Sequence, residues 1–325
     1  MAATPLSSFQ EIQEDWERLL SISPVNTLFL TPQWQEVWWD TFGDDRSMAG
    51  FYLQTPDGVK AIASLARQDG IISFLGNTDT FDYNDFLVQP GYEPALFSTL
   101  LARLENQAWS SLELSSLIET SPTLTYLPEL ARQRGYAVEI NEEDVAPGVF
   151  LPDTWEEYLA GLSKKDRHEL RRKFRRLDSG DSQRWYCVTD PAGAKDRVGD
   201  FITLMRQSRE DKDVYMTPER ERFFYRIAER TAQLGVLRLF FLELDGKPVA
   251  TTLCFDYGTS RLLYNSGYDP AYSYYSVGLL LNALALRDAI EQGKRYFDFM
   301  RGPEPYKYDL GGHDRILYRM VVKRS

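Results

Sequence analysis

The 325-residue sequence contains only two cysteines and two histidines. Cys187 and Cys254 lie far apart in the chain, so neither a disulfide framework nor a histidine-rich metal site is expected. The sequence also lacks any apolar run of the about 18 residues that cross a membrane, and its N-terminus has no basic segment followed by an apolar one. These absences predict a cytoplasmic protein without membrane insertion and without a metal. No motif indicates an oligomeric state.

Basic residues are outnumbered, with 37 Lys and Arg against 48 Asp and Glu and a net charge of -11. This balance disfavours general binding to nucleic acid. One segment departs from it, because eight Lys and Arg lie between Lys164 and Arg176, on a predicted helix with a narrow apolar stripe. Two interpretations stay open. The segment is a solvated helix face, or it binds a polyanion such as the phosphates of CoA, a nucleotide-linked sugar or a tRNA acceptor arm.

The chain length and a hydrophobic content of 43% suffice for two domains. The stretch from Glu142 to Pro152, with two prolines and an acidic cluster, predicts a connector. Each half shows helices, antiparallel strands, and then a further helix and strand. In the second half the helices are expected over about 154–178, 193–208 and 217–233, and an Asp245-Gly246 turn joins two strands. We therefore predict domains at 1–150 and 151–325.

One helix start has the chemistry of a phosphate site. Ser276-Val-Gly-Leu279 joins an aromatic, β-like run to an apolar helix. The first amides of a helix are unpaired and carry a partial positive charge, and a glycine lets an anion approach the backbone closely. The alternative interpretation is an ordinary helix cap and turn.

Several segments resemble a known family. The stretches 162–176, 267–270, 276–280 and 293–308, and less specifically 29–39 and 82–86, are similar to CelD-type acetyltransferases, which resemble the FemAB peptidyltransferases. The resemblance implies an α/β (α+β) fold with two tandem GNAT-like domains, each a mixed, mostly antiparallel sheet flanked by helices. The chain lacks the Gln/Arg-x-x-Gly-x-Gly/Ala form that such a pyrophosphate loop usually takes.

The resemblance implies a set of site residues. Acetyl-CoA or another acyl-CoA, as co-substrate, is expected at Tyr264, Asn265, Ser266, Ser276, Val277, Gly278 and Leu279. Catalytic residues are expected at Asp298, Glu304, Tyr306, Lys307 and Tyr308, and acceptor-binding residues at Asp82, Tyr83, Asp85 and Arg301.

Acyl transfer from a thioester to an amine needs a deprotonated amine, a stabilised carbonyl oxygen and a protonated leaving thiolate. Asp298 or Glu304 is expected to position the acceptor or act as base. Tyr306 or Tyr308 is expected to protonate the thiolate, and Lys307 to stabilise charge. Arg301 either binds an anionic group of the acceptor through two hydrogen bonds or pairs with Asp298. Asp82, Tyr83 and Asp85 either face the acceptor or form a simple turn.

The resulting functional hypothesis is an acyl-CoA-dependent N-acyltransferase, in particular an N-acetyltransferase. Its acceptor would be a small amine or amino sugar, or a polysaccharide or cell-envelope precursor, bound between the domains. Two alternatives remain: a FemAB-like transferase that uses aminoacyl-tRNA, and a non-catalytic binding protein that retains the fold.

Overall fold

The computed structural model describes residues 1–179 and 182–324. The chain forms two compact units, one of Met1–Val145 with Arg315–Ser325 and one of Ala146–Asp314. Within the described ranges the α-helices are α1 (Gln13–Ile22), α2 (Pro32–Phe42), α3 (Glu93–Glu105), α4 (Pro122–Gln133), α5 (Trp155–Gly161), α6 (Lys164–Asp178), α7 (Pro191–Ser208), α8 (Glu210–Tyr215), α9 (Pro218–Gln233), α10 (Val277–Glu291) and α11 (Pro305–Asp309). The strands in the same ranges are β1 (Ala2–Pro5), β2 (Ser47–Met48), β3 (Phe51–Thr55), β4 (Gly58–Ala63), β5 (Leu65–Gln68), β6 (Ile71–Phe74), β7 (Leu87–Val88), β8 (Ser111–Ile118), β9 (Tyr136–Val145), β10 (Gly148–Phe150), β11 (Gln183–Val188), β12 (Leu237–Leu244), β13 (Lys247–Tyr257), β14 (Ser260–Tyr268), β15 (Tyr296–Asp298) and β16 (Ile316–Arg324).

The first unit contains two sheets. Their strand orders are β1-β3-β4-β7 and β2-β5-β6-β8-β16-β9, and all described pairs are antiparallel except β6 with β8. The start of α2 is capped, because the Thr31 hydroxyl accepts the Trp34 amide at 3.3 Å and Pro32 occupies the first turn, where its missing N–H costs nothing. Trp34 and Trp38 are almost fully buried on this helix. The tryptophan-rich helix thus anchors the core of the first unit.

The second unit is built on one mixed sheet with the order β10-β15-β14-β13-β12-β11. Its described pairs are antiparallel except β14 with β15. The predicted turn between β12 and β13 is confirmed, since Asp245 and Gly246 both have positive φ, at 50° and 75°, as a two-residue hairpin of matching twist requires. The apolar helix α10 is buried along most of its length against this sheet. The predicted fold class, mixed and mostly antiparallel sheets flanked by helices, is confirmed.

The extents of the units differ from the predicted domains. Strand β16 pairs with β8 and β9, so the end of the chain completes a sheet of the first unit instead of remaining with the second half. The stretch expected to be a connector contains the end of β9 and all of β10. The acidic residues there lie on β9, which pairs along one side with β16, and charged side chains are typical of such an edge strand.

The expected helix over 154–178 is broken. It ends at Gly161 as α5 and restarts at Lys164 as α6. Ser163 is extended and its hydroxyl accepts the amide of Asp166 at 3.1 Å, which caps the new helix.

No helix in the described part of the chain is long and apolar enough to cross a membrane.

Candidate active site

In the second unit β15 covers only the start of β14, and the stretch of β14 that it leaves unpaired forms a gap in the sheet. The two strands are paired in parallel only where Ser260–Leu262 meets Tyr296–Asp298, whereas β14 continues along β13 as far as Tyr268. Within the described residues, β14 beyond Leu262 therefore presents a backbone edge that β15 does not cover. Uncovered strand amides and carbonyls can bind an extended ligand as an additional strand would.

A β-bulge shapes the same part of β14. Leu253 pairs with Asn265 and Cys254 pairs with Leu263, so Tyr264 is the extra residue. Its ring packs near Phe224 and Phe255, with centroids 6.1 and 5.6 Å away. Because a bulge changes the direction of the following side chains, Asn265 and Ser266 lie half-buried beside the gap. Tyr264 itself is packed against aromatic side chains of the unit.

Lys212 of α8 reaches this segment. Its ammonium donates to the Asn265 side-chain oxygen at 3.1 Å and to the Ser266 carbonyl. Burial lowers the pKa of Lys212 from 10.5 to about 8, and the nearby charges of Glu304 and Lys307 also act on it. A lysine, two residues of β14 and the α11 segment therefore converge at the gap.

The start of α10 has no side-chain cap. Ser276 adopts a left-handed conformation (φ 57°), and its hydroxyl does not bond the first turn. Leu280 is the first residue whose amide bonds back to Ser276, which leaves the three preceding amides available as at any uncapped helix start. Val277 is buried and Leu279 packs against the core, so these residues offer their backbone and not their side chains. Gly278 lies against the Tyr268 ring, which a Cβ atom would approach to 3.1 Å.

The basic helix α6 lies beside this helix start. The Arg176 guanidinium stacks 4.7 Å above the ring of Tyr274 and approaches the Ser276 hydroxyl at 3.4 Å. Its buried Nε has no hydrogen-bond partner among the described residues. A buried cationic donor that lacks an acceptor is costly unless a ligand supplies one. Two independent sequence predictions, the polyanion-binding helix and the phosphate-binding helix start, thus meet at one place.

The segment after β15 is held by Lys307. This side chain is 2% exposed, and its ammonium donates to the carbonyl oxygens of Met300, Arg301 and Gly302 at 2.9, 2.6 and 2.9 Å. It also pairs with the Glu304 carboxylate at 2.8 Å. Since an ammonium has three protons, these contacts saturate it. The geometry therefore favours a clamp that holds the turn over direct contact with a reacting group.

The buried Asp298 supports the same turn. Its carboxylate accepts the Met300 amide at 2.9 Å, and Met300 is left-handed with φ 61°. Glu304 remains substantially exposed, at 42% of its side chain, and Arg301 is half-buried. Of the two predicted carboxylates, Glu304 is thus the one accessible to a ligand.

The two predicted catalytic tyrosines have different environments. Burial raises the pKa of Tyr306 well above its usual range, and the Glu304 charge adds to the effect. Its ring packs edge-on against Phe299. Tyr308 instead donates its hydroxyl to Asp314 at 2.7 Å and lines a separate cavity of about 610 Å³ with His313 and Phe150. The charge of Glu304 acts on Tyr306, which lies two residues further along the chain.

Asp82, Tyr83 and Asp85 belong to the first unit. Asp82 is half-buried, whereas Tyr83 is 4% exposed and its hydroxyl accepts a hydrogen bond from Arg315. Asp85 is 2% exposed and accepts hydrogen bonds from the Ser121 and Thr123 hydroxyls and the Phe86 amide. Because Ser121 also caps α4, Asp85 ties that helix start to its own loop.

We expect Asp85 to contribute stability that falls as the pH rises from about 4 to about 6. Burial raises the pKa of Asp85 from 3.8 to about 6, so in this window the folded protein retains a proton that the unfolded chain has released. The stabilising contribution is complete below pH 3.8 and is lost as the pH passes about 6; it amounts to at most roughly 3 kcal/mol. Denaturant-induced unfolding at stepped pH measures this slope.

Asp85→Asn should remove that slope, and the exposed Asp15→Asn, whose carboxylate pairs with Arg18 on the surface, should leave it intact. An unchanged slope in Asp85→Asn would assign the pH dependence to other groups.

Lys212 and Arg176 were not among the residues predicted for the site. Lys212 lies in a short charged segment with no local signature. Arg176 belongs to the basic stretch, and its charge was the signal, but nothing local distinguishes it from the other arginines of α6. Its position beside α10 results from tertiary packing.

Comparison with known proteins gives one family match and several structures of similar fold. Residues 164–308 match the family model described as an acetyltransferase (GNAT) domain. Among solved structures, that of FemX aligns over 98% of this chain and 97% of its own with a TM-score of 0.69 and 11% identity. L-PGS from Bacillus licheniformis aligns over 96% and 91% with a TM-score of 0.59 and 12% identity. A tandem GNAT protein from the clavulanic acid biosynthesis pathway aligns over 98% and 97% with a TM-score of 0.52 and 14% identity. No curated protein matches the sequence significantly.

These similarities define the class of protein. The chain has a tandem GNAT fold, shared with FemX and with the clavulanic acid pathway protein. Within its second unit, residues 164–308 are similar to the acetyltransferase (GNAT) domain family.

Proposed function

We propose that the second unit transfers an acyl group from acyl-CoA, in particular acetyl-CoA, to the nitrogen of an amine acceptor. The observation that carries this proposal is the uncapped start of α10 with the partnerless Nε of Arg176 beside it. Helix amides and a guanidinium together bind a pyrophosphate through charge-assisted hydrogen bonds. The open edge of β14 lies in the same unit, where it can bind the extended pantetheine arm.

The residues that transfer protons in this reaction lie in the segment after β15. The acceptor nitrogen attacks the thioester carbonyl, the carbon–sulfur bond breaks, and the amine loses one proton while the thiolate gains one. Glu304 is the accessible carboxylate and takes the amine proton. Tyr306, held neutral by its raised pKa, donates a proton to the thiolate and is reprotonated through solvent by the proton that Glu304 took, so that the amine proton ends on the CoA thiol. Asp298 and Lys307 hold the turn between these two residues.

The acceptor class rests on the resemblance to CelD-type acetyltransferases. We propose an amino sugar or another amine of a polysaccharide or cell-envelope precursor, acylated in the cytoplasm, where acetyl-CoA is made. Arg301 is the residue of this segment whose guanidinium matches an anionic group on such an acceptor.

The direct test is release of CoA thiol from acetyl-CoA in the presence of a panel of amines and amino sugars. Acceptor-dependent thiol release with an N-acetylated product supports the proposal. Hydrolysis of acetyl-CoA at the same rate with and without every amine, or no turnover, contradicts it.

A second candidate is a FemAB-like transferase with an aminoacyl-tRNA donor. It is favoured by the exposed cations of α6, of which Lys164, Lys165 and Arg171 project from the surface. Because the phosphates of tRNA release many counterions, binding would weaken steeply with added salt, whereas binding of a single CoA would depend on salt only weakly. Transfer from aminoacyl-tRNA without any turnover of acetyl-CoA would select this candidate.

We expect Tyr306→Phe to lower kcat and Tyr308→Phe to leave it within about twofold. The substitutions are chemically identical, but Tyr306 lies beside Glu304 and Tyr308 bonds Asp314 on the other side of α11. A thiolate leaves readily, so we expect a loss of about tenfold, less than the about 100-fold typical of proton transfer to a poorer leaving group. Steady-state kinetics with acetyl-CoA measures both. Equal losses in the two variants would contradict the assignment of the proton donor.

A further inference from the structure

A second concave surface of the GNAT domain is lined by aromatic and basic side chains. It is a groove of about 560 Å³ bordered by α5, α6, α10 and β11. Its apolar walls include Trp155, Phe174 and Trp185, and its basic side chains are Arg171, Arg175 and Arg287. Phe174 meets Trp155 edge-on, with ring centroids 6.5 Å apart, and Trp185 is 38% exposed. The groove therefore offers flat apolar surfaces beside guanidinium groups.

The charge of the groove is only partly neutralised internally, by the Asp178 carboxylate and by the ion pair of Arg287 with Glu291. Arg171 and Arg175 are exposed and form no ion pair with any residue that the structure describes. The carboxylate of Asp178, which also lines the groove, accepts a hydrogen bond from the side-chain amide of Gln183. Arg287 uses its Nε for Glu291 at 2.8 Å, and its other nitrogens remain for a ligand. Exposed arginines without partners beside tryptophan in an acidic chain favour an anion with a flat ring system.

We propose that this groove binds a small nucleoside phosphate, of the size of a nucleoside diphosphate. Its volume lies within the range of about 300–1,000 Å³ typical of small-molecule sites. Aromatic walls would stack the base, and the two exposed arginines would bind the phosphates. Two to three cations match one or two phosphate groups, whereas a long nucleic acid would also meet the acidic surface of the protein.

The groove is distinct from the proposed donor site. Arg172 and Arg176 lie one helical turn apart on the face of α6 that approaches Tyr274. Arg171 and Arg175 are likewise one turn apart, but on the face that lines the groove. No residue from Ser276 to Leu279 lines the groove. The inference therefore does not depend on acyl-CoA binding at α10.

The test is calorimetric titration of the full chain with ADP, adenosine and inorganic pyrophosphate at low and physiological salt. We expect saturable ADP binding that exceeds both fragments, because stacking and phosphate contacts act together. The double variant Arg171→Gln/Arg175→Gln should bind ADP at least about tenfold more weakly, since each lost arginine removes a charge-assisted contact. Lys164→Gln/Lys165→Gln changes the charge of the same helix by the same amount outside the groove and should remain within about twofold of wild type.

Four results would overturn the proposal. No ADP binding would do so, as would equal losses in the two double variants, which would indicate diffuse electrostatics. Equally weak binding in Gly278→Asp would place ADP at the donor helix. A single-stranded oligoadenylate that binds more tightly than ADP, with the same arginine dependence, would make the groove part of a nucleic-acid interface. The four substituted side chains are exposed, and thermal unfolding verifies that the variants remain folded.

Discussion

Gly278→Asp should abolish saturable binding of acetyl-CoA, while Gly278→Ala should retain most of it. Both variants add a Cβ atom 3.1 Å from the Tyr268 ring, so both ask this side chain to shift by a few tenths of an ångström. Only aspartate adds a negative charge at the amides that would receive the pyrophosphate. The aspartate carboxylate would repel the pyrophosphate and would itself accept the amide hydrogen bonds at the helix start. We therefore expect the aspartate variant to bind acetyl-CoA at least about 100-fold more weakly than the alanine variant.

Calorimetry with acetyl-CoA at two salt concentrations measures the difference, and circular dichroism verifies folding. If alanine is as damaging as aspartate, the packing against Tyr268 and not the charge controls the site. If the aspartate variant binds normally, the α10 start does not hold the donor. A wild-type protein that binds no acetyl-CoA at either salt concentration would favour the aminoacyl-tRNA or the non-catalytic alternative.

Local signals in the sequence predicted the parts of the candidate site that depend on local structure. The start of α10 follows from an apolar helix preceded by serine and a glycine in its first turn, and the Asp245-Gly246 hairpin follows from the φ values that these residues tolerate. The restart of α6 was also readable, since Ser163 and Asp166 have the spacing of a helix cap. The helix expected over 154–178 runs across this cap.

Long-range pairing decided what the sequence could not specify. Strand β16 is a short, largely apolar run, and nothing in its sequence indicates that its partners are β8 and β9 and not its neighbours in the chain. The role of Lys212 also cannot be predicted from the sequence around it, because its contact with Asn265 depends on where α8 packs relative to β14. From the sequence, Asp85 is expected to face the acceptor or to form a simple turn, whereas in the structure it is buried and bonded to Ser121 and Thr123 at the start of α4.

Lys307→Met should cost both stability and activity. The substitution leaves three turn carbonyls without their donor, in a segment where Met300 and Gly302 have positive φ of 61° and 105°. Strained backbone of this kind persists only when its surroundings hold it. We expect the free energy of unfolding to fall by about 3 kcal/mol.

We expect kcat in Lys307→Met to fall by roughly 100-fold, because Glu304 and Tyr306 lose their fixed geometry. The matched control is Lys247→Met, which removes a lysine whose ion pair with Asp269 has the same 2.8 Å length but whose side chain is 59% exposed. Such a surface pair contributes less than about 1 kcal/mol, so its unfolding curve and kcat should barely change.

Stability and rate together separate the two roles that Lys307 can have. A clamp predicts that the loss in stability accompanies the loss in rate, and that Lys307→Arg, which keeps the charge but not the compact geometry of the three contacts, rescues neither fully. A full loss of rate at unchanged stability would instead assign the ammonium to direct stabilisation of the developing negative charge, as the sequence resemblance implies. In that case the saturated hydrogen bonds of Lys307 would have to rearrange when the ligands bind.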